Sequence, residues 1–188
     1  IKICTRFATD MAKPQFTAPD QPNYVSIVAS NGATLEYRFD PKANIRPWDK
    51  TLYIKIVKGF FREGDKLMIN FGDPKGGCPG MRMQTFCEET FEFKVLVDAF
   101  ATYQYIEVPD SPVLKIVPGP AAKWKVQVPT MRKKEEPFNI RIISEDRWGN
   151  PTNKLETNFK INSSLPINGL PKEINSKSQK NGVLLIEG

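Results

Sequence analysis

The sequence predicts an all-β chain: an antiparallel β-sandwich followed by an incomplete immunoglobulin-like β-sandwich module. Three observations predict it. Apolar and polar residues alternate with period two in run after run, which sets one face on a core and the other in water. The breaks between runs carry turn residues. No segment of about a dozen residues shows the 3.6-residue period of a helix. Sixteen prolines and twelve glycines in 188 residues suit many turns.

The elements follow in order. Tyr24–Ala29 and Leu35–Phe39 flank Asn31-Gly32, a pair that tolerates positive φ and predicts a tight hairpin. Leu52, Ile54 and Ile56 share one face, with Lys55 on the other. Glu63-Gly64-Asp65 predicts a second hairpin, leading into Leu67, Ile69 and Phe71, which alternate with Lys66, Met68 and Asn70. Phe91, Phe93, Val95 and Val97 alternate with Glu92, Lys94 and Asp98 and read as one strand. Trp124, Val126 and Val128 alternate with lysines and Gln127, which predicts an apolar face turned to a core. Phe138, Ile140 and Ile142 repeat the pattern. Asn162–Asn181 is polar and rich in Ser, Asn, Pro and Lys, so a mobile loop is expected. Gly182–Glu187 reads as a strand with no partner after it.

Val117-Pro118-Gly119-Pro120 is a stiff, non-helical connector and sets the expected boundary. Residues 1–117 hold roughly eight strands, enough for a sandwich. Residues 118–188 hold three or four, short of the roughly seven of an immunoglobulin-like domain. The chain opens at Ile1 without a signal-peptide pattern, so a processed chain or a piece of a larger one is expected.

Charge is uneven. Residues 1–117 carry 15 Lys and Arg against 14 Asp and Glu, whereas residues 118–188 carry 12 against 7. The lysines alternate with apolar residues along strands, without the aromatic-plus-arginine platform of nucleic-acid binders, so no nucleic-acid partner is expected. No apolar run reaches the roughly 18 residues of a membrane span, so no membrane partner is expected either. Cys4, Cys78 and Cys87 form no CxxC pair and read as small, partly buried thiols, with a Cys78–Cys87 bridge as the alternative; they fix no compartment.

Histidine is absent, which removes the usual base for a serine or cysteine nucleophile and the usual zinc sets. Glu88 and Glu89 are neighbours on a strand and point to opposite faces, so they do not flank one substrate. The chain is expected to be neither an enzyme nor a cofactor or metal carrier.

The candidate site is the glycine-rich loop Gly72–Thr85. Asp73, Lys75, Gly76, Gly77, Arg82 and Gln84 could form an anion-binding nest, with backbone N–H groups converging and Lys75 and Arg82 adding charge. The other reading is a structural turn in which Arg82 and Gln84 bond loop carbonyls. The loop lacks the GKS/T ending of a Walker phosphate loop. Arg147-Trp148-Gly149-Asn150-Pro151 reads as a turn in which Trp148 covers the end of a sandwich, or anchors a partner.

Three segments taken together carry a resemblance: Asp10–Gln15 leading to Asn23-Tyr24-Val25, the Gly72–Thr85 loop, and Pro118–Ala122 with Asp146–Pro151. Their order resembles the N-terminal region of the bacterial family called domain of unknown function three-six-zero-four. In that family β-sandwich modules precede a C-terminal domain similar to the PHP metallohydrolases, whose metals are held by clustered histidines and carboxylates. Without a histidine, none of those ligands carries over to this chain. The resemblance implies a non-catalytic accessory region of a metal-dependent hydrolase, with a C-terminal hydrolase domain as its partner. The alternative is a stand-alone module for a carbohydrate or a small anion, using the glycine loop and exposed aromatics such as Trp48 or Tyr103.

Overall fold

The computed structural model describes residues 1–154, 158–175, 180 and 182–187, and among these every regular element is a strand except one turn of 3-10 helix at Pro74–Gly76. The chain divides into two compact units, Ile1–Ile116 and Val117–Gly188.

The first unit contains β1 (Lys2–Thr5), β2 (Val25–Ala29), β3 (Thr34–Asp40), β4 (Lys50–Lys58), β5 (Leu67–Phe71), β6 (Glu88–Glu92), β7 (Lys94–Val97), β8 (Ile106–Glu107) and β9 (Val113–Ile116). An antiparallel sheet of order β3-β4-β1-β7-β8 forms one layer, and the pairs β2-β5 and β6-β9 face it. Ile3, Leu52 and Ile54 from the large sheet meet Val25, Ile27, Phe91 and Phe93 in one buried cluster. The arrangement is sandwich-like, and period-two alternation explains it: each contributing strand turns every second residue inward. The rings of Phe71 and Phe93 lie 5.1 Å apart and those of Phe91 and Phe93 5.2 Å, so aromatic packing ties the two layers at one point.

Two expected hairpins prove to be arches between layers. The Asn31-Gly32 turn forms, with Gly32 at φ 74° and its N–H on Ala29 O at 3.2 Å. Yet β2 pairs with β5, and β3 pairs with β4. Glu63-Gly64-Asp65 likewise joins β4 to β5 across the layers. Turn chemistry reverses the chain but does not choose the partner. Here Asn31 Nδ2 donates to Phe60 O at 2.9 Å and to Asp65 Oδ2 at 2.8 Å, so the two arches hold each other. The run from Phe91 to Val97 is also not one strand. It breaks at Phe93, whose N–H bonds Pro112 O, and passes from the β6-β9 pair into the large sheet. The short β1, which no turn signal announces, lies at the centre of that sheet.

The second unit contains β10 (Lys123–Gln127), β11 (Ile140–Glu145), β12 (Phe159–Lys160), β13 (Glu173–Ile174) and β14 (Val183–Ile186). One sheet has the order β10-β11-β14, and β12 pairs with β13. Ile140, Ile142, Ile174 and Leu184 form its buried cluster. The predicted terminal strand finds its partner upstream, in β11. The predicted polar loop Asn162–Asn181 is in part structured: it contributes β13 and the buried Ile174, while residues 176–179 and 181 lie outside the described residues. The expected inward face of β10 is not buried. Trp124 and Val126 stand opposite Ser144 and Ile142, but they are 43% and 62% exposed, with Val128 at 53%. The layer that covers β11 and β14 leaves β10 bare.

Candidate functional site

The Gly72–Thr85 loop is a clasp on the segment 10–24. Gly72 N–H donates to Tyr24 O at 2.7 Å, Asn23 N–H to Gly80 O at 2.9 Å, and Ala12 N–H to Arg82 O at 3.0 Å. Asn23 adopts φ 66°, and its Oδ1 accepts from Arg82 N–H at 2.9 Å. Gly72 has φ 70°, and a Cβ there would stand 2.4 Å from Met81 N. A Cβ on Gly76 would stand 2.4 Å from Pro19 Cβ. Both positions demand glycine because another chain segment occupies the space.

Of the six sequence-predicted residues, four meet in the 3-10 turn. Asp73 is buried; its Oδ1 accepts from Lys75 N–H at 3.1 Å and its Oδ2 from the Ser26 hydroxyl. The bond from Ser26 and that from Lys75 N–H outweigh burial and hold the Asp73 carboxyl below its ordinary range. Gly77, at φ 93°, closes the turn with its N–H on Pro74 O. Thus the Lys75 and Gly77 N–H groups are already bonded within the loop.

Arg82 and Gln84 lie apart from that turn. Arg82 Nη2 donates to Asp10 O at 2.7 Å, and Nη1 stands 3.8 Å from Asp10 Oδ2. Asp10 also accepts from Thr85 N–H at 2.8 Å and Thr85 Oγ1 at 2.7 Å. Burial pushes its carboxyl up, but the Thr85 bonds and the Arg82 charge prevail and hold it below the usual range. Gln84 is buried; its Nε2 donates to Phe86 O at 3.1 Å and Glu88 Oε2 at 2.8 Å, while its Oε1 has no partner. Glu88 also pairs with Arg6 at 3.2 Å, whereas Glu89 pairs with Lys115 at 2.7 Å. The two carboxylates therefore serve different partners. No disulfide joins Cys4, Cys78 and Cys87.

The second unit has a matching clasp, between the Pro118–Ala122 and Asp146–Pro151 segments, whose centre, Asp146, was not among the predicted site residues. Asp146 is 2% exposed. Its carboxylate accepts from Gly119 N–H at 3.0 Å, Trp148 N–H at 2.8 Å, Asn150 N–H at 3.0 Å and Asn150 Nδ2 at 2.9 Å. Burial alone would raise its pKa; those donors overcome it and hold the carboxyl at about 2. The Pro118-Gly119-Pro120 connector is thus pinned to the Asp146–Pro151 turn. Trp148 does not cover a sandwich end: it is 51% exposed, with Arg147 over its ring at 4.4 Å. An aspartate before a Gly-Asn turn was the available signal.

The exposed aromatics differ from one another. Trp48 is half-buried between Arg6 and Lys94, which stand 5.0 and 5.4 Å from its ring centre. Tyr103 is 88% exposed on a loop held by Asp98, which accepts from the N–H groups of Phe100, Thr102 and Tyr103. Among the described residues no three His, Cys, Asp or Glu side chains group as metal ligands. No family model, curated protein or solved structure matches the chain.

Proposed function

We propose that this chain is a non-catalytic accessory β region of a larger metal-dependent hydrolase, whose second unit is an immunoglobulin-like sandwich completed by further β structure. The observation that carries the reading is the bare inner face of β10. Trp124 and Val126 alternate along an edge strand, stand on the side of the sheet that buries Ile142 and Leu184, and are 43% and 62% exposed. Burying a valine stabilises by about 1.5–3 kcal/mol, so an apolar face on a core side favours a covering layer. The identity of the partner as a hydrolase rests on the three segments that resemble the N-terminal region of the family named above. Two of those segments, Asp10–Val25 and Gly72–Thr85, are bonded together, as are Pro118–Ala122 and Asp146–Pro151. Each clasp has a structural role, consistent with an accessory region.

The reading frame beyond Gly188 tests this. It is expected to continue into a domain with clustered His and Asp; a stop codon directly after Gly188 overturns the reading. The purified chain is expected to hydrolyse neither p-nitrophenyl phosphate nor p-nitrophenyl acetate, with or without Mn2+ or Zn2+. Robust turnover would sink it equally.

A further inference from the structure

We infer that the cleft between the two inter-layer arches of the first unit binds a small carboxylate ligand whose ring body offers an apolar face, such as a uronic acid or an aromatic acid. The cleft has a volume of about 490 Å3 and lies between Asn31–Thr34 and Lys58–Asp65. That volume is within the range of ligand pockets, roughly 300–1,000 Å3. Its walls are fixed. Asn31 ties the arches through Phe60 O and Asp65 Oδ2. Gly59, at φ 93°, sits against Ala33, where a Cβ would meet Ala33 Cβ at 3.2 Å. Gly32 and Gly64 face open space.

The chemistry inside is cationic and aromatic. Phe60 is 64% exposed, and the Arg62 guanidinium lies over its ring at 4.9 Å. A contact with a ring leaves the N–H donors of a guanidinium available, and their planar fork is what grips a carboxylate with two bonds. Arg6, Arg38, Arg46, Arg82 and Arg132 each have a guanidinium nitrogen within 4.0 Å of a carboxylate of the chain. Among the described residues neither Arg62 nor Lys58, both on this cleft, has an ion pair. The one acid of the cleft, Asp65, is occupied: its Oδ2 accepts from Asn31 Nδ2 at 2.8 Å and Arg62 N–H at 2.7 Å. A carboxylate placed here meets two cations, Lys58 and Arg62, against the single negative charge of Asp65, and the ring attached to it has Phe60 to pack on.

The test is an amide NMR titration of the full chain with D-glucuronate and with benzoate, using D-glucose as the neutral control. Either acid is expected to give saturable shifts confined to residues 31–34 and 58–65, with glucose giving none. Saturation by glucuronate alone assigns a sugar acid, and by benzoate alone an aromatic acid. Arg62→Gln and Lys58→Gln are exposed changes and are each expected to weaken binding at least about tenfold, the loss of one charge-assisted hydrogen bond. An Arg62→Lys variant recovers only part, since an ammonium lacks the fork. No saturable shift with either acid, equal binding of glucose, or unchanged binding in both glutamine variants overturns the inference.

Discussion

At the scale of single residues, two positions carry more than their side-chain size suggests. Asp146 accepts four hydrogen bonds while 2% exposed, and it joins the connector to the turn that follows β11. Bonds to a charged group contribute about 1.5–3 kcal/mol, and orphaned donors add their own cost. Asp146→Ala is therefore expected to cost the second unit about 3 kcal/mol in denaturant titrations. Its carboxyl sits at about 2 against an ordinary 3.8. A depressed acid stabilises above the unfolded value and loses that contribution as pH falls through the folded value. Stability of the second unit should thus hold down to about pH 4 and fall between about 4 and 2. In Asp146→Asn that acid-linked step should vanish from circular dichroism titrations, leaving a lower, flatter profile. Gly72 is the other position. At φ 70°, with Met81 N in the path of any Cβ, Gly72→Ala must strain the backbone and push the clasp open. It is expected to cost about 3 kcal/mol by thermal or chemical melting, whereas Gly64→Ala, facing open space, should cost about 1.

At the scale of elements, burial separates strands that look alike in sequence. Phe91 on β6 is 3% exposed and Val126 on β10 is 62% exposed, yet both sit in clean period-two runs. Phe91→Ala should destabilise by about 3–5 kcal/mol, and Val126→Lys by about 0.5 or less. Urea unfolding of the two variants decides this, and a large loss from Val126→Lys would mean that β10 is covered. The contrast also shows what was legible beforehand. Alternation located β4, β5, β10 and β11, because side chains leave a strand on alternate sides whatever it pairs with, while β2 and β3 were marked by the Asn31-Gly32 turn between them. It did not reveal the partners. The Asn31-Gly32 turn looks the same whether it closes a hairpin or an arch, and only contacts such as Asn31 with Asp65, far along the chain, decide between them. It missed the break at Phe93, since a strand that changes sheet keeps its period. The site was legible in the same partial way. Glycines marked Gly72–Thr85 as a place ruled by backbone geometry, but which donors remain free depends on Asp10, Ser26 and Asn23, residues distant in sequence. The Arg62–Phe60 cleft has no local motif, because it is made by two arches that meet only in the folded unit.

At the scale of the whole molecule, the two units differ in how much core each owns. The first has a cluster of seven buried apolar residues drawn from both of its layers. Among the described residues the second has four, Ile140, Ile142, Ile174 and Leu184, under a sheet whose β10 edge is bare. Domains below about 70–80 residues rarely gain more than about 3–5 kcal/mol from one core, and residues 117–188 fall at that limit with one flank uncovered. Residues 1–116 expressed alone are therefore expected to fold with a cooperative transition, read by Trp48, which Arg6 and Lys94 enclose. Residues 117–188 expressed alone are expected to be marginal, with stability below about 3 kcal/mol. Trp124 and Trp148 should then report a broad transition at low denaturant, and Asp146→Ala should leave that fragment unfolded before any is added. A sharp transition for residues 117–188 at high denaturant would show that the four-residue core suffices, and the case for a missing layer over β10 would fall with it.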